Sequence, residues 1–225
     1  MNISADFGIT VTDTLRKKDG TLVHRMDQST SELNHDRVKA IFQEIDFTTN
    51  EGFMAVTGGK HLELGDFIEN TPLVHVNEIE AIGEGAMELS GIDKDQSTII
   101  VSAGSGTACI HAQKGQYLHA SGTGVGGGTV IGLSKLLLNT DDPSEIASLA
   151  ENGNESSVDL ILQDVVTGPI GKLPPETTAV NFGKVAKNGS SYSREDIAAG
   201  IINLVGQTAA RIATSVALMF QASEI

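Results

Sequence analysis

The chain has 225 residues, 40% of them hydrophobic, so it can bury a core and form one large domain or two small ones. Its 15 basic and 29 acidic side chains give a net charge of −14, which opposes binding to nucleic-acid phosphates and disfavours a nucleic-acid role. Cys109 is the only cysteine, which excludes an intrachain disulfide and a cysteine-based metal site and indicates a small buried apolar residue.

The sequence shows neither the apolar run of a membrane helix nor the pattern of a signal peptide at residues 1–10. No run approaches the roughly 18 uninterrupted apolar residues of a membrane helix. Residues 1–10 lack the basic start and apolar stretch of a signal peptide. We therefore expect a cytoplasmic protein without a membrane segment.

The first elements predicted are a hairpin and a helix. A strand runs into Asp6-Phe7-Gly8-Ile9-Thr10 and returns through Val11-Thr12-Asp13-Thr14-Leu15. Ser31 then precedes a segment whose apolar residues recur at helical spacing. These residues are Leu33, Val38, Ile41, Phe42 and Ile45.

Two buried strands and a second helix follow. Residues 53–56 are apolar and end in Thr57-Gly58-Gly59, and Val74-His75-Val76 could be another short strand. From Asn77 to Leu89 the apolar residues share one helical face, and Gly91 is a suitable stop.

The middle of the chain repeats the organisation of its start. A strand from Ser97 leads into the small-residue loop 102–108, a second strand runs to Ala112, and Lys114-Gly115 forms a turn. Ile3–Leu15 has the same strand, loop and returning strand. This repeat predicts two lobes, residues 1–94 and 95–225.

The last third is predicted to be helical. Short helices are expected over 144–152 and 157–165, and Ser193 caps a long apolar helix of about 30 residues, or ~45 Å. Such a helix usually needs a partner surface larger than one small lobe, so we expect a homodimer formed through residues 194–222. Its apolar stripe comprises Ile197, Ile201, Leu204, Val205, Ile212, Val216, Met219 and Phe220.

Glycine density is the strongest chemical signal. Nine of the 25 glycines fall between Gly104 and Gly132, where backbone amides could approach an anion closely. Tight hairpin turns are the better explanation of either loop when it is taken alone. Gly122-Thr123-Gly124-Val125-Gly126-Gly127 matches G-x-G-x-x-G but lacks an opening βαβ unit, and no P-loop pattern occurs.

Carboxylates supply the candidate catalytic groups. Asp6, at a strand end beside Gly8 and Thr10, suits Mg²⁺ binding, although a turn Asp bonding its own backbone is an equal reading. Glu78 or Glu80 could take a proton from a hydroxyl, but the helix dipole also favours acids there. The six histidines lack zinc-enzyme spacing.

Taken in order, these motifs resemble those of the type II pantothenate kinases, members of the actin-like and sugar-kinase ATPase superfamily. The resemblance begins at 6–10, 57–59 and 77–81, continues through 101–107 and 122–133, and extends through 158–164, 181–184 and the terminal helix. It covers nearly the whole chain.

The resemblance implies an α/β fold with two ribonuclease-H-like lobes and ATP-dependent phosphorylation of pantothenate. It implies Mg²⁺ at Asp6, Glu78 as the catalytic base, and Ser105 and His119 beside the acceptor. The expected nucleotide-binding residues are Asp6, Gly8, Thr10, Gly104, Ser105, Gly106, Thr107, Gly122, Gly124, Gly126, Gly127 and Gly128.

Four departures from the family pattern keep alternatives open. Asp13 stands where the family usually has a Lys, and Ile9 stands where it usually has a Gly. His119 stands where the family usually has an Arg that helps bind pantothenate. The family's further strand and adenosine loop would follow Ile225, so we expect the chain to be part of a longer protein. The alternatives are another hydroxyl-bearing acceptor, an ATPase that drives a partner enzyme, and a regulatory homologue without catalysis.

Overall fold

The computed structural model describes residues 2–8, 11–18, 21–28, 33–44, 52–187 and 191–225. The strands are β1 (Asn2–Phe7), β2 (Val11–Lys18), β3 (Thr21–Gln28), β4 (Phe53–Thr57), β5 (Phe67–Ile68), β6 (Thr71–His75), β7 (Thr98–Ala103), β8 (Thr107–Gln113), β9 (Gln116–Thr123), β10 (Leu160–Ile161) and β11 (Thr178–Val180). The α-helices are α1 (His35–Glu44), α2 (Glu78–Ser90), α3 (Gly127–Leu138), α4 (Pro143–Glu151), α5 (Leu162–Val165), α6 (Gly183–Lys187) and α7 (Arg194–Phe220).

The chain divides into two compact units. The first contains Met1–Ile100 and Ile110–His119, and the second contains Val101–Cys109 and Ala120–Ile225. The predicted lobes, 1–94 and 95–225, stay a prediction.

A six-stranded sheet of order β3-β2-β1-β4-β6-β5 forms the centre of the first unit. β1 pairs antiparallel with β2 and parallel with β4, and β4 pairs parallel with β6. The predicted hairpin and both short buried strands are therefore confirmed. β3 continues the hairpin as a third strand that the sequence reading missed.

The two faces of this sheet have different chemistry. Ile3, Ala5 and Phe7 of β1 point into an apolar core with α1, whose Val38 and Ile41 are fully buried. The intervening β1 residues Ser4 and Asp6 therefore face the opposite side, because side chains alternate along a strand. The core face is apolar and the opposite face carries a carboxylate.

Helix α2 is bounded by a cap at each end, and the sequence predicted the one at its C-terminus. The Asn77 side chain accepts hydrogen bonds from the amides of Ile79 and Glu80, and Gly91 ends the helix in the left-handed conformation. Within the helix, a Cβ on Gly83 would overlap the Tyr117 ring. The helix backbone therefore packs directly on that ring.

Strands β7, β8 and β9 form a three-stranded sheet in that order. β7 and β8 were predicted, whereas β9 was not, because its mixed polar sequence lacks a clear alternation. Cys109 is buried in β8, as expected for a small apolar side chain.

Helix α7 belongs to the second unit and is capped as predicted, since the Ser193 hydroxyl accepts from the Asp196 amide. Its Ala198 and Ile201 are fully buried and form a core with Leu138 of α3. By length and composition alone α7 could cross a membrane, a test that the core helices of non-membrane proteins also pass.

The helix predicted over 157–165 is wrong. Val158 ends a 3-10 turn, Leu160–Ile161 pairs with β11 as a short strand, and only Leu162–Val165 is helical. A short apolar run does not distinguish a buried strand from a buried helix by periodicity, which explains the error. The predicted helix over 144–152 is confirmed as α4.

Candidate functional site

Three polar side chains form a row across neighbouring strands of the first unit. Asp6 pairs with Asp13 of β2 on one side and with Thr57 of β4 on the other. Residues directly opposite in a ladder point to the same face. The row therefore lies on the face of the sheet away from the apolar core.

This row borders a cavity of about 340 Å³ within the first unit. Helix α2 supplies Glu78 at its first turn and the apolar Ala81 and Ile82. The cavity is lined by Ser4, Ala5, Asp6, Asp13, Leu15, Ala55, Val56, Thr57, Val76, Glu78, Ala81 and Ile82. Among these described lining residues three are acidic and none is basic.

The surroundings of the Asp6 carboxyl group shift its pKa. Burial, followed by the charges of Glu78 and then Asp13, raises its pKa above the usual 3.8. Its Oδ1 atom and the Thr57 hydroxyl are buried without a hydrogen-bond partner in the described part of the chain. These two unpaired buried oxygens on paired strands are available to a bound group.

Those oxygens fit a Mg²⁺ ion. Mg²⁺ prefers hard oxygen ligands and is commonly held by one or two carboxylates, with water and substrate phosphates completing its shell. The described residues contain no group of three or more His, Cys, Asp or Glu that could hold a metal ion. Asp6 as the protein ligand of Mg²⁺ stays a prediction.

Asp13 has a partner on the next strand. His24 Nε2 of β3 lies 2.8 Å from Asp13 Oδ1, with both side chains about half exposed. The position at which the resemblance leads us to expect a Lys thus carries a carboxylate beside an imidazole.

Two glycines shape the ends of the strands beside Asp6. A Cβ on Gly8 would lie 2.7 Å from the Val11 carbonyl oxygen, because the chain turns tightly there. Gly58 has a φ of +93° and lies against Phe7 and Asp6. These close contacts explain why a glycine follows β1 and β4.

Glu78 occupies the first turn of α2, where the Asn77 cap fixes the helix start. Its side chain is exposed and lines the cavity, and its charge is one cause of the raised pKa of Asp6. Glu80 is also exposed but is not among the lining residues. Of the two candidate bases, the cavity favours Glu78.

In the second unit the two glycine-rich loops pack on each other. The amides of Gly127 and Gly128 donate to the carbonyls of Gly104 and Ser105, at 2.8 and 2.9 Å. A Cβ on Gly126 would lie 2.6 Å from the Gly106 carbonyl carbon. The glycines at 126–128 are therefore needed for close backbone packing.

This packing limits how the loops could hold phosphate. The amides of Gly127 and Gly128 are already used, and the buried Thr107 hydroxyl donates to the Val125 carbonyl at 2.8 Å. Phosphate contacts by Gly104, Ser105, Gly106 and the Thr107 amide stay a prediction.

The remaining predicted residues lie in β9, directly after it, or outside the described residues. Gly122 lies in β9, Gly124 follows that strand, and His119 is an exposed residue of β9. Thr10 lies outside the described residues.

A histidine pair beside the cavity was not predicted. His61 Nδ1 and His75 Nδ1 are 3.0 Å apart, and His75 Nε2 lies 2.7 Å from the Gly65 carbonyl oxygen. The two residues follow β4 and end β6, so their closeness arises from tertiary structure rather than from any sequence spacing.

The second unit contains a buried aspartate, Asp159, to which the sequence analysis gave no role beyond its place in the 158–164 segment. Asp159 is fully buried and accepts hydrogen bonds from the Phe182 amide at 2.6 Å, Asn203 Nδ2 at 2.8 Å and Asn181 Nδ2 at 3.2 Å. It therefore holds the loop before α6 against α7.

The chain is similar to known proteins in both sequence and fold. It is 34% identical over 175 residues to a type II pantothenate kinase of Bacillus cereus, covering 76% of this chain and 62% of that one. It is 34% identical over 170 residues to that of Bacillus anthracis, covering 74% and 60%. The chain thus spans about 62% of the length of the first of these relatives.

Among solved structures, it resembles the activator of the 2-hydroxyisocaproyl-CoA dehydratase from Clostridium difficile with bound ADPNP. The TM-score is 0.59 at 16% identity, and the match covers 96% of this chain and 75% of the other. At that identity the likeness shows the fold alone, and the predicted actin-like and sugar-kinase fold is confirmed.

The sequence model of the Fumble family matches residues 88–225, which is more than half of the chain. This match and the kinase relatives confirm the resemblance that the motifs predicted. The chain therefore belongs to the Fumble family.

Proposed function

We propose that the protein is a small-molecule kinase that uses ATP to phosphorylate a primary alcohol, with pantothenate as the first acceptor to test. Family membership supports the reaction class, and 34% identity to a type II pantothenate kinase supports the acceptor. The observation that carries the proposal is the cavity that Glu78 lines together with Asp6 and Thr57, whose buried oxygens lack partners in the described part of the chain.

Asp6 would hold Mg²⁺, which when bound neutralises charge on the transferring phosphoryl group. Glu78 would accept the proton of the acceptor hydroxyl. The amides of residues 104–107 would contact phosphate oxygens, and Ser105 and His119 would contact the acceptor. Phosphoryl transfer depends mostly on positioning and charge stabilisation, which are the roles proposed for these groups.

The acidic lining of the cavity determines which part of the acceptor can enter it. An anionic group would meet Asp6, Asp13 and Glu78 in this cavity, where none of the described lining residues is basic. The acceptor's hydroxyl end is therefore the part that fits here, with any carboxylate held elsewhere. His119 holds a carboxylate less firmly than a bidentate Arg would, so other alcohols belong in the test.

The rival reading, an ATPase that activates a partner enzyme through a metal cluster, has less support. Cys109 is the only cysteine and is fully buried, and burial raises the pKa of its thiol. A protonated, buried thiol is a poor cluster ligand. The likeness to a dehydratase activator concerns the fold alone.

We also propose a cytoplasmic homodimer that contacts neither nucleic acid nor membrane. Leu218 and Met219 of α7 are 76% and 69% exposed, an apolar surface that a second copy could cover. Sedimentation of the protein and of the Leu218→Asp variant tests this pairing. A wild-type monomer at micromolar concentration would contradict it.

ADP formation, measured with and without pantothenate and with related primary alcohols, tests the proposed reaction. We expect Mg²⁺-dependent turnover with at least one alcohol and detection of its phosphate ester. ADP release that is independent of every alcohol would favour the partner-activating ATPase. ATP binding without turnover would favour the regulatory homologue.

A further inference from the structure

Helix α2 borders the cavity with one face and contacts Tyr117 with the other. Glu78, Ala81 and Ile82, which line the cavity, share one side of the helix, because successive residues turn by about 100°. Gly83 is buried and lies roughly 150° around the helix from the middle of that side. The helix therefore separates the cavity from the residue that contacts Gly83.

Tyr117 of β9 occupies the space in which a side chain at residue 83 would lie. A Cβ on Gly83 would overlap the ring atoms Cγ, Cδ1 and Cε1 of Tyr117. Cγ is bonded to the tyrosine Cβ, so a rotation of the ring about that bond leaves Cγ in place. The ring could leave only by a rotation about χ1, which would also displace its buried hydroxyl.

The hairpin that carries Tyr117 is tied to the segment that follows α2. Lys94 lies in this segment, and its Nζ atom donates to Glu84 of the helix at 2.7 Å. The Lys94 carbonyl accepts a hydrogen bond from the amide of Lys114, in the turn between β8 and β9. An added Cβ at residue 83 would therefore push against a ring that is held in place relative to the helix end.

The cavity side of α2 stands off the sheet. Leu89 falls on the same side of the helix as Glu78 and Ile82, yet it is 90% exposed and so does not pack on the strands. Leu15, which lines the cavity from β2, is exposed as well. A small movement of the helix would therefore change the width of the space between helix and sheet.

We propose that the contact between Gly83 and Tyr117 sets the width of the cavity, and with it the size of the alcohol that the protein accepts. A larger residue at position 83 moves α2 towards the sheet, by roughly 1 Å if the carbon contacts return to about 3.5 Å. A smaller residue at position 117 lets the helix move the other way. Gly83 and Tyr117 are thus positioning residues, and this inference rests on the proposed kinase function.

The test is the selectivity between two primary alcohols that differ by one or two carbon atoms beside the hydroxyl, with pantothenate and such an analogue as the first pair. We expect the ratio of kcat/KM for the larger alcohol over the smaller to fall by ~10-fold or more in Gly83→Ala, as for one methylene group in a pocket. In Tyr117→Ala, which removes all three overlapping atoms, the ratio should rise. The double variant should return towards the wild-type ratio, because the added Cβ then has room.

Gly85→Ala is the matched control and should keep the wild-type ratio. Gly85 is an exposed residue of the same helix, does not line the cavity, and has nothing within 4 Å of an added Cβ. A partly unfolded sample leaves the ratio unchanged, since unfolded molecules turn over neither alcohol. The KM for ATP should also stay near the wild-type value, because none of the proposed nucleotide-binding residues belongs to α2.

Each single variant tests the inference even if the other does not fold. An unchanged ratio in Gly83→Ala, an unchanged ratio in Tyr117→Ala, or shifts of both in the same direction would overturn it.

Crystal structures of the variants provide a readout that needs no turnover. The width is the distance between the Cα atoms of Ile82 and Ala55, on the helix and sheet sides of the cavity. We expect it to shorten in Gly83→Ala, to lengthen in Tyr117→Ala and to stay constant in Gly85→Ala, and any other order would overturn the inference. If no alcohol is phosphorylated, the proposed function fails, while these distances still decide whether the contact sets the width.

Discussion

Gly58 lies so close to Asp6 that a Cβ on residue 58 would be 2.7 Å from Asp6 Oδ1 and 2.6 Å from the Phe7 carbonyl oxygen. Its φ of +93° is also one that residues with a side chain rarely adopt. The loop after β4 thus depends on glycine for both backbone conformation and space. The same contact fixes the position of the candidate Mg²⁺ ligand.

Gly58→Ala should therefore reduce both stability and activity. We expect a loss of ~1–3 kcal/mol from backbone strain, together with weaker Mg²⁺ dependence as Asp6 is displaced. Thermal melting and Mg²⁺ titration of the ADP-forming rate check this. Gly59→Ala is the matched control, because nothing lies within 4 Å of a Cβ there. Equal melting temperatures for the two variants would contradict the role of Gly58.

Asp6→Asn should raise stability at neutral pH while lowering activity. A carboxyl group with a raised pKa in the folded state stabilises the fold below its unfolded pKa, near 3.8, and loses that contribution as pH rises through the folded value. The asparagine variant resembles the protonated form. The melting temperature of the variant should exceed that of the wild type by an amount that increases as pH rises from about 4. Each kcal/mol of difference in the free energy of unfolding corresponds to about 2–4 °C.

Mg²⁺ should narrow that difference, because only the wild type gains stability by binding the ion. Glu88→Gln, on an exposed position of α2, serves as a control that should change neither quantity. A melting difference that stays constant from pH 4 to pH 8 would contradict the assignment of Asp6.

Gly126→Ala should disturb the packed loops of the second unit. Its Cβ would meet the Gly106 backbone at 2.6 Å, so the loops must separate, at a cost of ~1–3 kcal/mol, and ATP affinity should fall. Gly132→Ala, inside α3 with nothing within 4 Å, should instead stabilise the chain by about 0.5–1 kcal/mol. Denaturant unfolding and ATP titration compare the two, and an unchanged ATP affinity in Gly126→Ala would count against phosphate binding at 104–107.

The sequence predicted the elements whose local signals agree with their tertiary setting. Helices α2 and α7 have clear periodicity and one predicted capping residue each, Gly91 and Ser193, and both helices were found as expected. The strand and short helix within 158–165 were not, because their burial depends on pairing with β11. Pairing with a strand that is distant in sequence does not alter the local periodicity of apolar residues.

The residues of the candidate site likewise divide into those that local sequence signals could predict and those that they could not. Asp6 and Glu78 could be proposed because they stand at a strand end and a helix start. Thr57 could have been found with them, since it ends the buried strand that pairs with β1. The His61–His75 contact could not, because it joins residues 14 positions apart through the fold of two strand ends.

Asp159→Ala should be among the most destabilising changes in the second unit. Removal of the carboxylate leaves buried donors of Phe182, Asn181 and Asn203 with fewer partners, at about 1–3 kcal/mol for each one left unpaired. Urea unfolding should show a much lower midpoint. Asp141→Ala, which breaks only the exposed ion pair with Lys135, is the control. Similar midpoints for the two variants would contradict the structural role of Asp159.

The most direct measurement is kcat/KM for alcohol-dependent ATP turnover in Glu78→Gln compared with Glu80→Gln. The two carboxylates lie in the same helical turn, but only Glu78 lines the cavity with Asp6. We predict a loss of ~10²–10⁴-fold for Glu78→Gln, the usual range for a general base, and a near-wild-type value for Glu80→Gln. Full activity in Glu78→Gln, or an equal loss in both variants, would contradict the assignment of Glu78 as the base in this cavity.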